Sequence, residues 1–295
     1  MRKENGKRGI GVAWLGYVAL GVFFLSGLNH PRAQGVDLLG RSELVLTGGG
    51  MNYLGDLNDQ SAFGEVHAAF GAGIRCRLDN RWALRVEGNY GRISALEDCI
   101  AKRNLSFRSS IYEGSLVTEF NFRPYGAGAT EGQWTPYIFG GVAVFHFTPE
   151  AQYTAPDGTT SWVALPPLCT EGQGTTAYPT RRSYPLTQLA MPFGVGVRWR
   201  LSKNFSLTAE YGFRKTWTDY LDDVSTTYVG SDLLIAEVDN GTVAAALADR
   251  SEVPNAVGIK RGDDSLDDWY SYFNLSVGMN LNMLFGWMRS KRCRN

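Results

Sequence analysis

Histidine is nearly missing from this chain: three occur in 295 residues, and none sits at the spacing of a zinc site. Charge of one sign is missing too. The 29 basic and 29 acidic residues cancel, which removes the electrostatic footprint of a nucleic-acid binder. Long hydrophobic runs are confined to the first thirty residues, and mean hydropathy is −0.20. A bundle of transmembrane helices is therefore excluded. A membrane β-barrel is not, because alternate residues of its strands face a polar lumen and average hydropathy hides them. No tandem repeat, low-complexity tract or second-domain linker interrupts the chain.

Glycine and aromatic residues, by contrast, are abundant (35 Gly, 15 Phe, 14 Tyr, 8 Trp). With so few helical patterns this composition points to an all-β chain. The N-terminus has the layout of a secretory signal peptide: basic Arg2, Lys3, Lys7 and Arg8, an apolar run from Ile10 to Leu28, and a cut after Ala33. The alternative is a single membrane anchor, since the run is nearly long enough to span a bilayer. No cysteine lies near the cut, so there is no lipoprotein signal. The expected division is a signal peptide at 1–33 and an outer-membrane barrel at 34–295 with a short basic periplasmic tail.

Period-two alternation recurs along the mature chain. Trp82, Leu84, Val86 and Tyr90 oppose Arg81, Arg85, Glu87 and Asn89. Comparable runs start at Met191, Phe205 and Phe273, and four more cover 44–54, 65–78, 108–123 and 137–147. Each is about as long as a tilted strand needs, roughly 9–11 residues, to cross the hydrocarbon layer. The segment 137–147 is apolar on both faces. Short connections at 79–80, 202–204 and around Tyr125 alternate with long ones at 55–64, 94–107, 148–189 and 216–268. That is the rhythm of an eight-stranded antiparallel up-and-down transmembrane β-barrel with long extracellular loops and both termini in the periplasm. The soluble alternative, a lipocalin-like barrel, would turn its apolar face inward. The membrane version is favoured by a slim polar face carrying both charge signs: Arg85, Glu87, Glu113, Glu119, Arg198, Arg200, Glu210 and Arg214. Aromatics near strand ends (Trp82, Tyr90, Trp199, Trp269) suit interfacial girdles. Eight strands leave an interior that side chains fill, so no diffusion pore is expected.

Candidate chemistry is sparse, and no cofactor is implied. His67 and His146 are the histidines a rim Ser/His/carboxylate hydrolase could use, although a lumen or rim histidine is the simpler reading. Asp219, Asp222, Asp223, Asp264 and Asp268 fall at the two ends of the last outer loop, where they could meet at the rim and hold Ca²⁺ or bridge to lipopolysaccharide cations, or stand as solvated loop acids. Arg75, Arg77, Arg81, Arg123, Arg200 and Lys203 gather at the periplasmic end, as either a docking surface or a hydrated rim. The tail adds Arg289, Lys291, Arg292, Cys293 and Arg294 as partner-binding candidates. Cys99 and Cys169 share the outer side and could pair, and Cys76 points to lipid. The run Asp239–Leu247 has the look of a short helix in the last outer loop.

Several stretches resemble the PorG family, a barrel component of the type IX secretion system of Bacteroidetes. They are Asn52-Tyr53-Leu54-Gly55-Asp56-Leu57, Leu105-Ser106-Phe107-Arg108, Ile111-Tyr112-Glu113, Thr135-Pro136-Tyr137-Ile138-Phe139, Thr170-Glu171-Gly172-Gln173-Gly174, Pro192–Gly196, Thr218–Ser225 and Asp268-Trp269-Tyr270. The resemblance implies a non-enzymatic outer-membrane part of a protein export machine that associates with a periplasmic PorK–PorN ring. A long insert at 226–262 and an extended basic tail depart from the pattern. The rival expectation is a structural or adhesive barrel whose long loops bind surface ligands.

Overall fold

In the computed structural model, residues 38–57, 65–97, 103–125, 130 and 132–283 are described, and the following concerns those residues. The expected signal-peptide segment at 1–33, Cys99, and the tail residues Arg289, Lys291, Arg292, Cys293 and Arg294 lie outside them. A single turn, α1 (Leu38–Arg41), leads into β1 (Ser42–Leu54). Then come β2 (His67–Arg77), β3 (Trp82–Leu96), β4 (Ser106–Asn121), β5 (Trp134–Thr154), the short β6 (Thr160–Ala164), β7 (Thr187–Arg200), β8 (Phe205–Thr216) and β9 (Trp269–Asn280). Every pairing is antiparallel, β1 pairs with β9 (Thr47 opposite Ser276), and β4 pairs with β5 (Ser115 opposite Ala143). Eight strands thus close into an up-and-down barrel, and β6 hangs on β5 beyond its rim. Closure leaves the eight without an edge, so every ladder group along the shared registers has a partner.

The exterior is apolar. Phe70, Ile74, Val86, Leu116, Val142, Val195 and Leu275 all face outward and are exposed. Trp82 and Tyr90 bracket this belt on β3. Their separation along a strand tilted by ~40° corresponds to about 21 Å, close to the ~25 Å apolar band of a membrane barrel. Phe120 lies against Trp82, with ring centroids 4.8 Å apart, and Arg123 stacks 4.0 Å over Trp134 at the start of β5. Tyr90 and Tyr112 form the matching pair above, at 4.9 Å. An exposed belt of this kind is solvated by hydrocarbon and not by water. Val86→Arg, midway between the girdles, should therefore cost ~2–4 kcal/mol in lipid; a urea titration in vesicles showing no loss would contradict a lipid-facing wall.

The interior has two storeys. In the lower one, nearest the short turns, Glu43, Glu87, Glu113, Glu119 and Glu210 meet Arg75, Arg77, Arg85, Arg198, Arg200 and Arg214, all buried. Glu119 lies 3.0, 3.1 and 2.6 Å from the guanidinium nitrogens of Arg75, Arg85 and Arg198. Arg85 also reaches Glu210 at 2.8 Å and Glu87 at 3.2 Å, and Arg214 reaches Glu113 at 3.1 Å. Small residues make room for the large ones: a Cβ on Gly196 would strike the Tyr137 ring, and one on Gly49 would strike the Phe273 carbonyl. The upper storey is apolar and aromatic, built from Met51, Tyr53, Ile93, Phe107, Ile111, Phe145, Phe147, Tyr270 and Tyr272. Tyr270 joins the storeys by donating to Glu113 at 2.8 Å.

Three expectations need correction. Arg75, Arg77 and Arg200 do not belong to a periplasmic docking rim. Their positions in the strand register turn them inward, where Arg75 and Arg77 pair with Glu43 at 3.3 and 3.7 Å and Arg200 packs 5.0 Å over Tyr125. Strands β3 and β4 run past the expected ends because the 94–107 segment continues their ladder to Leu96 opposite Ser106, and β5 runs on to Thr154 by pairing with β4 up to Glu150 and with β6 beyond it. Last, β9 stops at Asn280, so Leu281 and Met283 do not extend its alternation.

Candidate functional site

Above the rim, the segments after β5 and after β8 fold onto the upper storey as a cap. A short helix, α2 (Ser231–Glu237), precedes α3 (Gly241–Ala248), which is the helix expected within Asp239–Leu247, and Asn240 at a left-handed φ of 56° separates the two. Leu165, Leu168, Leu221, Val224, Leu234, Ala244 and Leu247 continue the barrel's apolar core into the cap without interruption. That continuity explains why 137–147 reads as apolar on both faces: the outer half of β5 lines a hydrophobic core and not a wet lumen.

Within this apolar cap sits a node of buried acids. Tyr53, at the end of β1, has its hydroxyl 2.7 Å from Asp222 Oδ2 and 2.6 Å from Asp268 Oδ1. The other oxygens accept backbone amides, Asp222 Oδ1 from Val224 at 2.9 Å and Asp268 Oδ2 from Leu221 at 3.0 Å. Asp223, held at φ 66°, accepts from Thr170 at 2.5 Å and Tyr184 at 2.6 Å. Tyr184 stacks on Tyr220 at 4.6 Å, which fixes its hydroxyl toward the node. Glu171 accepts from the Ser225 amide at 2.9 Å and the Thr226 hydroxyl at 2.6 Å, and pairs with Arg261 at 3.0 Å. Arg261 is buried and also donates to the Ala248 carbonyl at 3.1 Å, tying the α3 end to the node.

Burial dominates the electrostatics here. It pushes the Asp222 carboxyl up to about 7, and that of Asp223, despite Arg261, up to about 6. Burial raises Asp219 to about 8, assisted by the charges of Asp56, Asp222 and Glu171. Asp268 is raised well above the carboxylate range by burial and then by the Asp222 charge. In a pocket that excludes water, one arginine among several carboxylates cannot offset them all, so protons do.

Residues 25–166 match a domain of unknown function, DUF6089. No curated protein matches the chain. Similar solved structures include the attachment invasion locus protein Ail of Yersinia pestis, at 10% identity and a TM-score of 0.37, covering 81% of this chain and 96% of that one. Neisserial surface protein A gives the same values. Outer membrane protein OprG of Pseudomonas aeruginosa, at 10% identity and 0.36, covers 83% of this chain and 100% of that one.

The predicted site residues distribute as follows. Asp219, Asp222, Asp223 and Asp268 come together, but Asp264 is exposed on the loop surface. Among the described residues no three His, Cys, Asp or Glu side chains converge as metal ligands. The Ca²⁺ expectation is therefore corrected: the acid oxygens of Asp222, Asp223 and Asp268 are turned to hydroxyl and amide donors. Cys169 is a half-buried free thiol in the cap, and burial raises its pKa. Cys76 sits in the exterior register of β2. His146 shares a hydrogen bond with Thr187 at 3.0 Å and is exposed. His67 Nε2 lies 2.6 Å from Ser94 Oγ, whose hydroxyl donates to Glu65. A catalytic triad would place the carboxylate on His Nδ1; here Glu65 and Nε2 converge on one hydroxyl, 3.9 Å apart, which makes a rim hydrogen-bond cluster.

Tyr53, Glu171 and Arg261 were not singled out as site residues from the sequence. The first two lie inside stretches that carry the family resemblance. Arg261 left no distinct signal, being one of two arginines, with Lys260 beside it, in the long 226–262 segment.

Proposed function

We propose that this chain is a non-enzymatic outer-membrane barrel that serves a type IX-like protein secretion machine as the membrane anchor of a periplasmic PorK/PorN-like ring. The observation that supports this reading most is where the resembling stretches lie. Asn52–Leu57, Leu105–Arg108, Thr170–Gly174, Thr218–Ser225 and Asp268–Tyr270 are far apart in sequence, yet all contribute to the node and the aromatic layer under it. Tyr53 packs on Phe107 at 4.9 Å and bonds Asp222 and Asp268, while Glu171 binds Ser225. The other resembling stretches, Ile111–Glu113, Thr135–Phe139 and Pro192–Gly196, lie on the barrel strands, so the resemblance spans this node and the wall beneath it. A barrel filled by side chains suits a scaffold better than a channel. The basic tail, with Arg289, Lys291, Arg292, Cys293 and Arg294, is the proposed periplasmic contact, and outer-membrane lipid surrounds the belt.

A mild-detergent pull-down of the tagged chain, with and without reductant, tests this. Recovery of PorK- and PorN-like proteins, lost when the tail arginines or Cys293 are replaced, is the expected result. A monomeric barrel without periplasmic partners would favour the second reading, an adhesive barrel. That alternative draws on the cap's exposed apolar side chains, Val253, Val257, Ile259 and Leu266.

A further inference from the structure

The Tyr53 hydroxyl has one proton and two carboxylate neighbours, at 2.6 and 2.7 Å. If both Asp222 and Asp268 were ionised, one of them would face the phenol oxygen at hydrogen-bond distance with nothing between. Each carboxylate already spends its second oxygen on a backbone amide, from Val224 and Leu221 respectively. The three side chains therefore need a second proton, shared by the two aspartates, for the contacts to be attractive. They also come from three places: the end of β1, the segment after β8 and the residue before β9. We propose that Tyr53, Asp222 and Asp268 form a proton-binding latch that fastens the cap to the barrel rim and loosens when the shared proton leaves.

The surroundings make the proton's loss costly to the closed form. Facing the pair are Asp56 from the turn after β1, Asp219 and Asp223 from the segment after β8, and Glu171 from the segment after β6. Arg261, from the segment before β9, is the cation set against them, with Arg103 beside Asp56. Arg261 is already bound to Glu171 at 3.0 Å, so it does not neutralise the pair.

An aspartate freed into water titrates near ~3.9. In the closed cap Asp222 titrates at about 7, and burial with the Asp222 charge raises Asp268 well above the ordinary carboxylate range. Below about pH 4 the open and closed forms hold the same protons; above that the closed form holds more, so its advantage falls as pH rises through the closed-form values. Asp223 and Asp219, raised to about 6 and about 8, act in the same direction. The cap is tightest at about pH 4 and below and slackens progressively towards about pH 8.

Amide hydrogen exchange on the full-length protein in lipid nanodiscs reads this directly, after correction for the intrinsic pH dependence of exchange. The reporters are the Leu221 and Val224 amides, with β7–β8 ladder amides as the barrel control. Protection at the reporters should fall at least about tenfold between about pH 5 and about pH 8, with the control unchanged. Asp268→Asn, which mimics the neutral acid, should keep the reporters protected at about pH 8 and reduce the slope by one proton. Reporter protection that is flat with pH in the unmodified protein would overturn the latch, even if the variant failed to fold. An Asp268→Asn protein that folds and retains the full slope would also overturn it, by assigning the titration to Asp219 and Asp223.

Discussion

Replacing Glu119 with glutamine should cost the barrel ~3–5 kcal/mol, more than any single change on its surface. Glu119 is fully buried and lies within 3.1 Å of a nitrogen of each of Arg75, Arg85 and Arg198. Six arginines share this storey with five glutamates, so positive charge is already in slight excess. An amide in place of the carboxylate preserves the shape and removes the charge, leaving three guanidinium groups in a water-poor lumen with less to offset them. The contrast is Glu150, which pairs with Arg108 at 2.8 Å, with both side chains about a third exposed (34% and 27%). Glu150→Gln should cost less than about 1 kcal/mol, because solvent screens that pair. Urea unfolding in vesicles compares the two variants under one condition, and equal losses would show that the lumen network contributes no more than a surface bridge.

The barrel was legible because its signal is local. A wall with lipid outside and polar groups inside prints a two-residue period, and Trp82, Val86 and Tyr90 against Arg85, Glu87 and Asn89 show it within nine residues. The same logic explains what was missed. Where the strands rise out of the membrane belt the inner face becomes apolar, as at Phe145 and Phe147, and the period fades although the ladder goes on. The lumen charges could be assigned to the inner face from register, but which arginine meets which glutamate depends on strand stagger, and Arg75 was placed at a rim that it does not reach. The cap was half legible. Its acids stood out by composition, whereas their partners Tyr53, Thr170, Tyr184 and Arg261 lie up to 215 residues from them in sequence. No pattern of short period carries such contacts. A loop acid and a buried acid look alike until the fold decides how much water each one keeps.

Arg261 brings that point to its sharpest test. Its guanidinium reaches Glu171 at 3.0 Å, the Asp223 carboxylate at 3.9 Å and the Ala248 carbonyl at 3.1 Å, and the residue is only 2% exposed. Methionine would fill much of the same volume without the charge, leaving buried Glu171 without its cationic partner at a cost of ~3–5 kcal/mol. That cost falls on the cap, because the eight barrel strands are held by their own closed ladder and by the separate network around Glu119. Arg261→Met should therefore expose segment 226–262 to protease at neutral pH while the heat-modifiable barrel band persists on a gel. Acid should restore part of the protection: Arg261 holds Asp222 and Asp223 down against burial, so its removal raises both further, and protonating them relieves the uncompensated charge. The reverse experiment separates charge from packing, since Arg261→Lys keeps the charge but loses the fork that reaches Glu171 and Ala248 together. It should fall between the unmodified protein and the methionine variant. A methionine variant as resistant as the unmodified protein at neutral pH would mean that the cap's acids are neutralised without Arg261, and that protons alone hold it together.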